Sequence, residues 1–231
     1  MLRAFFSRLG IYYSKRQFML RGIEWLWDLE RECGAQTPRT VIDVGANVGQ
    51  TTLAVLRAFP TASVHAFEPV RSTFDLLHQA VGCDPRVRLN HQAVSDRPGL
   101  VHVQLEAASD MSHVVTGAAG GGVGVESVAA VTLDGYCEQH AIAHIDILKS
   151  DTEGHDLQVL MGARGLLDQG RIDWVFVEVT FDPQNTANSM FGPIDDWLRQ
   201  HGMAVWCFYD NSYAESGRYL KFCNVLFRRR R

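Results

Sequence analysis

The chain has 231 residues, of which 46% are apolar and 21% charged, with a net charge of −4 at pH 7. That length suits one α/β domain with a short extension and argues against two full domains. The apolar share is enough for a core, and the acidic balance gives no sign of a nucleic-acid partner. The charge is uneven, however. Residues 1–21 carry Arg3, Arg8, Lys15, Arg16 and Arg21 with no acid, and the chain ends in Arg228 to Arg231. Setting those nine aside leaves 13 of the 22 basic residues against 26 acids. Five cysteines, none in a C-x-x-C pair, read as reduced thiols of a cytoplasmic protein. No apolar run reaches the roughly 18–20 residues of a membrane span. The basic N-terminus lacks the apolar stretch and cleavage site of a signal peptide.

Residues 1–36 form a separate N-terminal unit, expected to be helical. Phe5, Phe6, Leu9, Tyr12 and Tyr13 fall at three-to-four spacing, as do Ile23, Leu26, Trp27 and Glu30 less regularly. The preferred reading is a cap packed on the main domain. The alternative is a basic amphipathic surface for a lipid headgroup, an acidic glycan or a partner chain, weakened by Gly10 and Gly22. Residues 37–231 form the main domain. TVIDV (40–44) reads as a strand, Gln50 to Arg57 as a helix ended by Pro60, and SVHAFE (63–68) as a strand. Ser72 caps a helix that runs to Val81. Strands are expected near 87–94, 100–105 and 127–132, with a glycine-rich loop, GAAGGGVG, at 117–124. IDILKS (145–150) is a strand, followed by a helix with Leu157, Leu160 and Met161 on one face. DWVFVEVT (173–180) has the continuous apolar pattern of a central parallel strand. A helix over Ile194 to Gln200 precedes two strands, 203–209 and 220–227, that are expected to pair antiparallel. Alternating strands and helices predict a doubly wound, mostly parallel sheet with helices on both faces. Ligands of such sheets bind at the carboxyl ends of the strands.

At the first of those ends, VIDVGANVGQTTL (41–53) is a strand, a glycine turn and a helix. A dinucleotide fingerprint needs G-x-G-x-x-G. Here Asn47 and Gln50 stand where the second and third glycines belong. A phosphate loop needs Lys after its last glycine, and none follows Gly49. What stands there is D-x-G-x-N-x-G: Asp43, Gly45, Asn47 and Gly49. An acid beside the turn suits a ligand with a positive group. Glu68, at the end of the second strand, suits both hydroxyls of a ribose. A ribose, an amino group, a sulfonium and no phosphate describe S-adenosylmethionine. The ordinary alternatives are a tight turn without ligand and a capping role for Asp43.

VIDVGANVGQTT, HAFEPV, NHQAVSD, TLDGY and ILKSDTEGHDLQVLMGA, in that order over residues 38–227, resemble the FkbM family of S-adenosylmethionine-dependent methyltransferases. The segment KSDTEGHD is the most specific part, since class I methyltransferases in general lack it. The resemblance implies the seven-stranded class I methyltransferase (Rossmann-like) fold and O-methylation of a hydroxyl on a sugar, glycan or natural product. It implies a cofactor set of Asp43, Gly45, Asn47, Gly49, Thr51, Glu68, Pro69, Ala93 and Asp151, with Asn90 to Val94 beside the adenine. The first 35 residues lie outside it, and the family varies around 117–124.

Methyl transfer to an alcohol calls for a base or a metal near the attacking oxygen. Asp151, Glu153 and His155 follow the 145–150 strand and share one face if the extended geometry persists. Asp151 is assigned to the cofactor's amino group or the acceptor hydroxyl, and Glu153 and His155 are candidate bases. The alternative for either is a place in the first turn of the next helix. His113, in ASDMSHVV, is a further candidate base, with plain surface exposure as its alternative. Asn185 to Met190 read as the acceptor rim or as a solvated loop. Mg²⁺ on Asp151, Glu153 and Glu178 is the less favoured solution, and no metal is assigned. The place of the (N/D)-P-P-(Y/F) segment of nucleic-acid amino-methylating enzymes reads SDTEG here. A non-catalytic cofactor-binding module and an NAD-dependent oxidoreductase are the alternatives in other classes.

Overall fold

The computed structural model describes residues 20–105, the backbone of 113–115, and residues 124–185, 187–213, 217 and 219–230. Most of the N-terminal unit and of the 117–124 loop therefore lies outside the described residues. Seven strands form the main sheet: β1 (Thr40–Val44), β2 (Ser63–Phe67), β3 (Val87–Asn90), β8 (Ile145–Ser150), β9 (Ile172–Thr180), β10 (Met203–Tyr213) and β11 (Leu220–Arg229). Their order is β10-β11-β9-β8-β1-β2-β3. The five strands from β9 to β3 are parallel, and β11 runs antiparallel to both β9 and β10. This is the expected doubly wound sheet.

The central strands alternate their side chains between two packed layers. Ile42, Val44, Leu148, Val175 and Val177 face α4 (Leu133–Gln139), α5 (Asp156–Met161), α6 (Arg164–Asp168) and α7 (Phe191–Gln200). Val41, Val64, Ile147 and Phe176 face α1 (Trp25–Cys33) and α2 (Gln50–Ala58). Both faces of these strands are covered, which is why they are rich in apolar residues, most of all 173–180. Each fully buried Leu, Ile or Val contributes about 1.5–3 kcal/mol.

Within the N-terminal unit, α1 packs on the sheet. Glu24 caps it, accepting from the backbone N–H of Leu26 and Trp27. The buried face is Trp25, Leu26 and Leu29, with Ile23 exposed, so it is turned from the spacing expected for Ile23, Leu26, Trp27 and Glu30. Trp25 stacks on Phe176 with ring centroids 4.2 Å apart, and Tyr209 donates to Asp28 at 2.8 Å. A closed ring of contacts ties this unit to the last strand. Arg21 lies over Trp206 (3.9 Å), Trp206 meets Trp174 edge-on (5.2 Å) and Arg228 lies over Trp174 (4.9 Å). Glu32 pairs with both Arg228 and Arg21.

Four expectations are corrected. The strand expected over 87–94 splits, because Asn90 caps β3 by donating to Ala66 O and Arg88 O. The chain then starts a second sheet, ordered β4-β7-β5-β6, from β4 (Ala93–Val94), β5 (Gly99–Leu105), β6 (His113–Val115) and β7 (Gly124–Val131). Ser72 is not a cap: α3 (Arg71–Val81) starts one residue earlier, and the Glu126 carboxylate on β7 accepts from Arg71 N. Helix α4, capped by Thr132, occupies a stretch assigned no element from sequence. The helix after β8 breaks into α5 and α6, which leaves Met161 exposed while Leu160 is buried.

Candidate active site

The ends of β1, β2 and β8, roofed by β4 and β5 of the small sheet, enclose a cleft. Its floor is the glycine turn. Gly45 N and Ala46 N donate to Phe67 O at 3.0 and 2.9 Å, which fastens the turn to β2. Gly45 has φ +70°, and a Cβ there would lie 1.9 Å from Asp151 O. Only glycine allows the end of β1 to pass this close to the segment after β8. Gly49 has φ +95°, and a Cβ there would be 3.0 Å from Leu77, so it serves the packing of α2 on α3.

Glu68, 6% exposed, accepts from Asn47 N at 3.0 Å and Val70 N at 2.9 Å. Burial pushes its carboxyl up to about 7, against the pull of those two N–H groups and of Lys149. The Asn47 side-chain oxygen is buried in the same wall with no hydrogen-bond partner. Phe67, Val70, Ala93, Val94 and Val103 make the apolar side, with Pro69 beside Glu68. Asp151 and Glu153 stand at the other end. An orphaned acceptor and a ribose-type carboxylate, with apolar walls on one side and acids on the other, fit a nucleoside carrying a positive tail.

Gly45, Asn47, Glu68, Pro69, Ala93, Asp151, Glu153 and His155 are thus brought to one cleft. Asp43, Gly49 and Thr51 are absent from its wall. Asp43 is fully buried, accepts from Thr52 Oγ1 at 2.7 Å, and lies 3.2 Å from Lys149 Nζ. Its charge is spent inside the protein, so the expectation that it faces a positive ligand group is corrected. Burial works against the Lys149 ammonium, but Asp43 and Asp151 outweigh it and hold the amine above its ordinary range.

Beyond Ser150 the extended geometry stops. Glu153 has φ +50° and Gly154 φ +90°, so residues 151, 153 and 155 do not share a strand face. The turn nevertheless gathers three carboxylates: Asp151, Glu153 and Glu178 each place an oxygen within 4.8 Å of the others. Asn188 donates to Glu178 from the 182–190 segment. Burial first, then the neighbouring Asp151 and Asp156, raises the Glu178 carboxyl to about 7. His155 turns inward as the cap residue of α5, with Nε2 2.9 Å from Ser95 Oγ. Burial lowers its pKa, only partly offset by Asp96, which leaves a neutral imidazole engaged with a serine. Two residues went unrecognised in the sequence. Asp156, almost fully buried, accepts from Ser150 Oγ (2.6 Å), Thr152 N (3.1 Å), Thr152 Oγ1 (2.9 Å) and Ser189 Oγ (3.0 Å), and so shapes the turn. Lys149 is the other. The backbone of His113 lies in β6 opposite Gln104, and its side chain is outside the described residues. A separate groove at the amino ends of the strands carries charges already paired with one another, Arg229 with Asp173 and Arg228 with Glu32.

The strand order with β11 antiparallel, and a carboxylate-ended cradle beside a glycine turn, define the class I methyltransferase architecture. The Methyltransferase FkbM domain matches residues 43–204, more than half of the chain, and the chain belongs to that family. It is 29% identical over 203 residues to the 31-O-demethyl-FK506 methyltransferase FkbM of Streptomyces tacrolimicus, covering 75% of this chain and 76% of the relative. Among solved structures, the METTL16 methyltransferase domain matches with a TM-score of 0.52 at 12% identity, covering 89% of this chain and 64% of that one. The 1,6-didemethyltoxoflavin-N1-methyltransferase of Burkholderia thailandensis, solved with S-adenosylhomocysteine, matches with a TM-score of 0.48 at 14% identity, covering 89% and 76%. The chain is an FkbM-type S-adenosylmethionine-dependent methyltransferase. Among the described residues no helix is long and apolar enough to cross a membrane.

Proposed function

We propose that the protein O-methylates a hydroxyl of a small natural product or a sugar. The observation that carries this reading is the carboxylate trio of Asp151, Glu153 and Glu178 at the mouth of the cofactor cleft. One member, Glu178, titrates near 7, where a base for an alcohol works best. The relative of known substrate is named for an oxygen acceptor, which supports the same reading.

S-adenosylmethionine supplies an activated methyl group on a sulfonium, and the residues of the chain do the rest. Glu68 accepts the ribose hydroxyls, and Asn47 Oδ1 takes a further donor. Gly45 leaves room at the floor, and Ala93, Val94 and Val103 enclose the base. Asp151 holds the amino group or steers the acceptor hydroxyl. Glu178, oriented by Asn188, takes the hydroxyl proton, with Glu153 beside it and His113 as a further base. His155 holds the turn through Ser95 and does not serve as the base. Asp43, Gly49 and Thr51 support the glycine turn from behind. The trio works without Mg²⁺ in this reading, because the Lys149 ammonium, 3.7 Å from Asp151, already supplies a cation there. The acceptor is not a nucleic acid, since the body of the chain is acidic. The N-terminal unit serves as a cap on the main domain, in a cytoplasmic protein.

Calorimetric titration with S-adenosylmethionine, S-adenosylhomocysteine and NAD⁺, with Glu68→Ala alongside, tests the cofactor. Labelled-methyl transfer to a panel of hydroxyl compounds tests the acceptor. Glu178→Gln is expected to lower kcat by about 10²-fold or more, with cofactor affinity unchanged and chelator without effect. Full activity in that variant would return the base to Glu153 or His113.

A further inference from the structure

Lys149 lies in an apolar strand and is the register partner of Asp43 on β1. Its side chain is 6% exposed. The ammonium lies 2.7 Å from Gly45 O, 3.3 Å from Val44 O, 3.2 Å from Asp43 Oδ1 and 3.7 Å from Asp151 Oδ2. Three hydrogens therefore face four oxygens. Neutralising Asp43 needs only one of these contacts. The two carbonyls are a separate matter, because they belong to the residues that launch the glycine turn. Asp43 is itself fastened to Thr52 on α2. One ammonium thus joins β8, β1 and, through Asp43, α2.

These three elements set the cleft floor. Gly45 sits against Asp151 O with no space for another atom, so the position of its carbonyl fixes the gap between the glycine turn and the 151–155 segment. Gly45 and Asn47 line the cleft on one side of that gap, and Asp151 and Glu153 on the other. We propose that Lys149 is a positioning residue for the methyl donor: its ammonium holds the Val44 and Gly45 carbonyls and thereby sets the distance between the glycine turn and Asp151. The inference rests on the cofactor reading of this cleft given above.

The test is calorimetric titration with S-adenosylhomocysteine, with thermal unfolding of each variant. Lys149→Met alone strands a buried carboxylate, a change that breaks folds. The informative set is therefore Asp43→Asn, Asp43→Asn with Lys149→Met, and Asp43→Asn with Lys149→Gln. Asp43→Asn keeps the ammonium and an oxygen for Thr52, and is expected to bind clearly more tightly than the methionine double variant. The methionine double variant is expected to unfold near the parent's temperature and bind at least about tenfold more weakly, the scale of one lost charge-assisted hydrogen bond. The glutamine double variant restores a donor without a charge and should recover part of that loss. Parent-like binding in the methionine double variant overturns the proposal, leaving Lys149 as a counter-ion only. So does equal weakening in Asp43→Asn, or misfolding of both double variants. Failure of the parent protein to bind overturns the cofactor reading itself, a result distinct from all of these.

Discussion

Glu68 must be ionised to accept two ribose hydroxyls, yet burial holds its carboxyl near 7. Cofactor binding is therefore coupled to proton loss. Below pH 7 the affinity should fall by up to about tenfold per pH unit, and above it level off. At pH 6 the binding enthalpy should depend on the buffer, because nearly one proton is released. An affinity flat from about pH 5.5 to 8 would remove Glu68 from the ribose. The sign for stability is opposite in sense. The unfolded carboxyls of Glu68 and Glu178 ionise near 4.5, while the folded ones keep their protons to about 7. The free protein should thus lose stability as pH rises through that window, and the unfolding temperature reports it. At this scale the sequence was only half legible. Glu68, Asn47 and Asp151 could be found from spacing along one chain. The role of Asp43 could not, because it depends on Lys149, 106 positions away. A signal was present all the same: TVIDV carries the acid Asp43 and IDILKS the base Lys149 inside apolar strands, and two such strands lying side by side pair them.

Among the elements, the glycine turn and the segment after β8 behave as one unit. Gly45→Ala puts a methyl into Asp151 O and strains a φ of +70°. The expected cost is roughly 3 kcal/mol, with cofactor binding lost, read by thermal unfolding and titration. A variant as stable and active as the parent would show that the two segments move apart freely. Strands β1, β2, β8 and β9 were legible because burial on both faces makes each of them predominantly apolar. Helix α4 was not, since its seven residues include Asp134 and Gly135 and it is held by a Thr132 cap rather than by periodicity. The small sheet was hidden for a related reason. Its strands pair across the inserted segment, and β4 is only two residues long. The expected common face of residues 151, 153 and 155 failed because Glu153 and Gly154 take left-handed conformations, which strand periodicity does not register.

For the whole molecule, residue 36 divides the sequence, but packing joins the two sides. Leu29 is fully buried beneath α1, so Leu29→Ala should cost about 2–5 kcal/mol in denaturant unfolding. Removing residues 1–36 uncovers Phe176, Trp174, Tyr209 and Leu226 together, and the remainder should aggregate. A soluble truncated protein with parent-like cofactor affinity would show α1 to be dispensable. The ring of Arg21, Trp206, Trp174, Arg228 and Glu32 adds something that truncation does not reveal. It brings the two ends of the described chain within side-chain reach of each other, so the order in which the elements are synthesised is separable from the way they pack. A circular permutant that begins at Thr37 and carries residues 20–36 after Arg230, joined by a linker of about six residues, spans that gap. It should fold with α1 in its usual place, although the helix would then be the last element made.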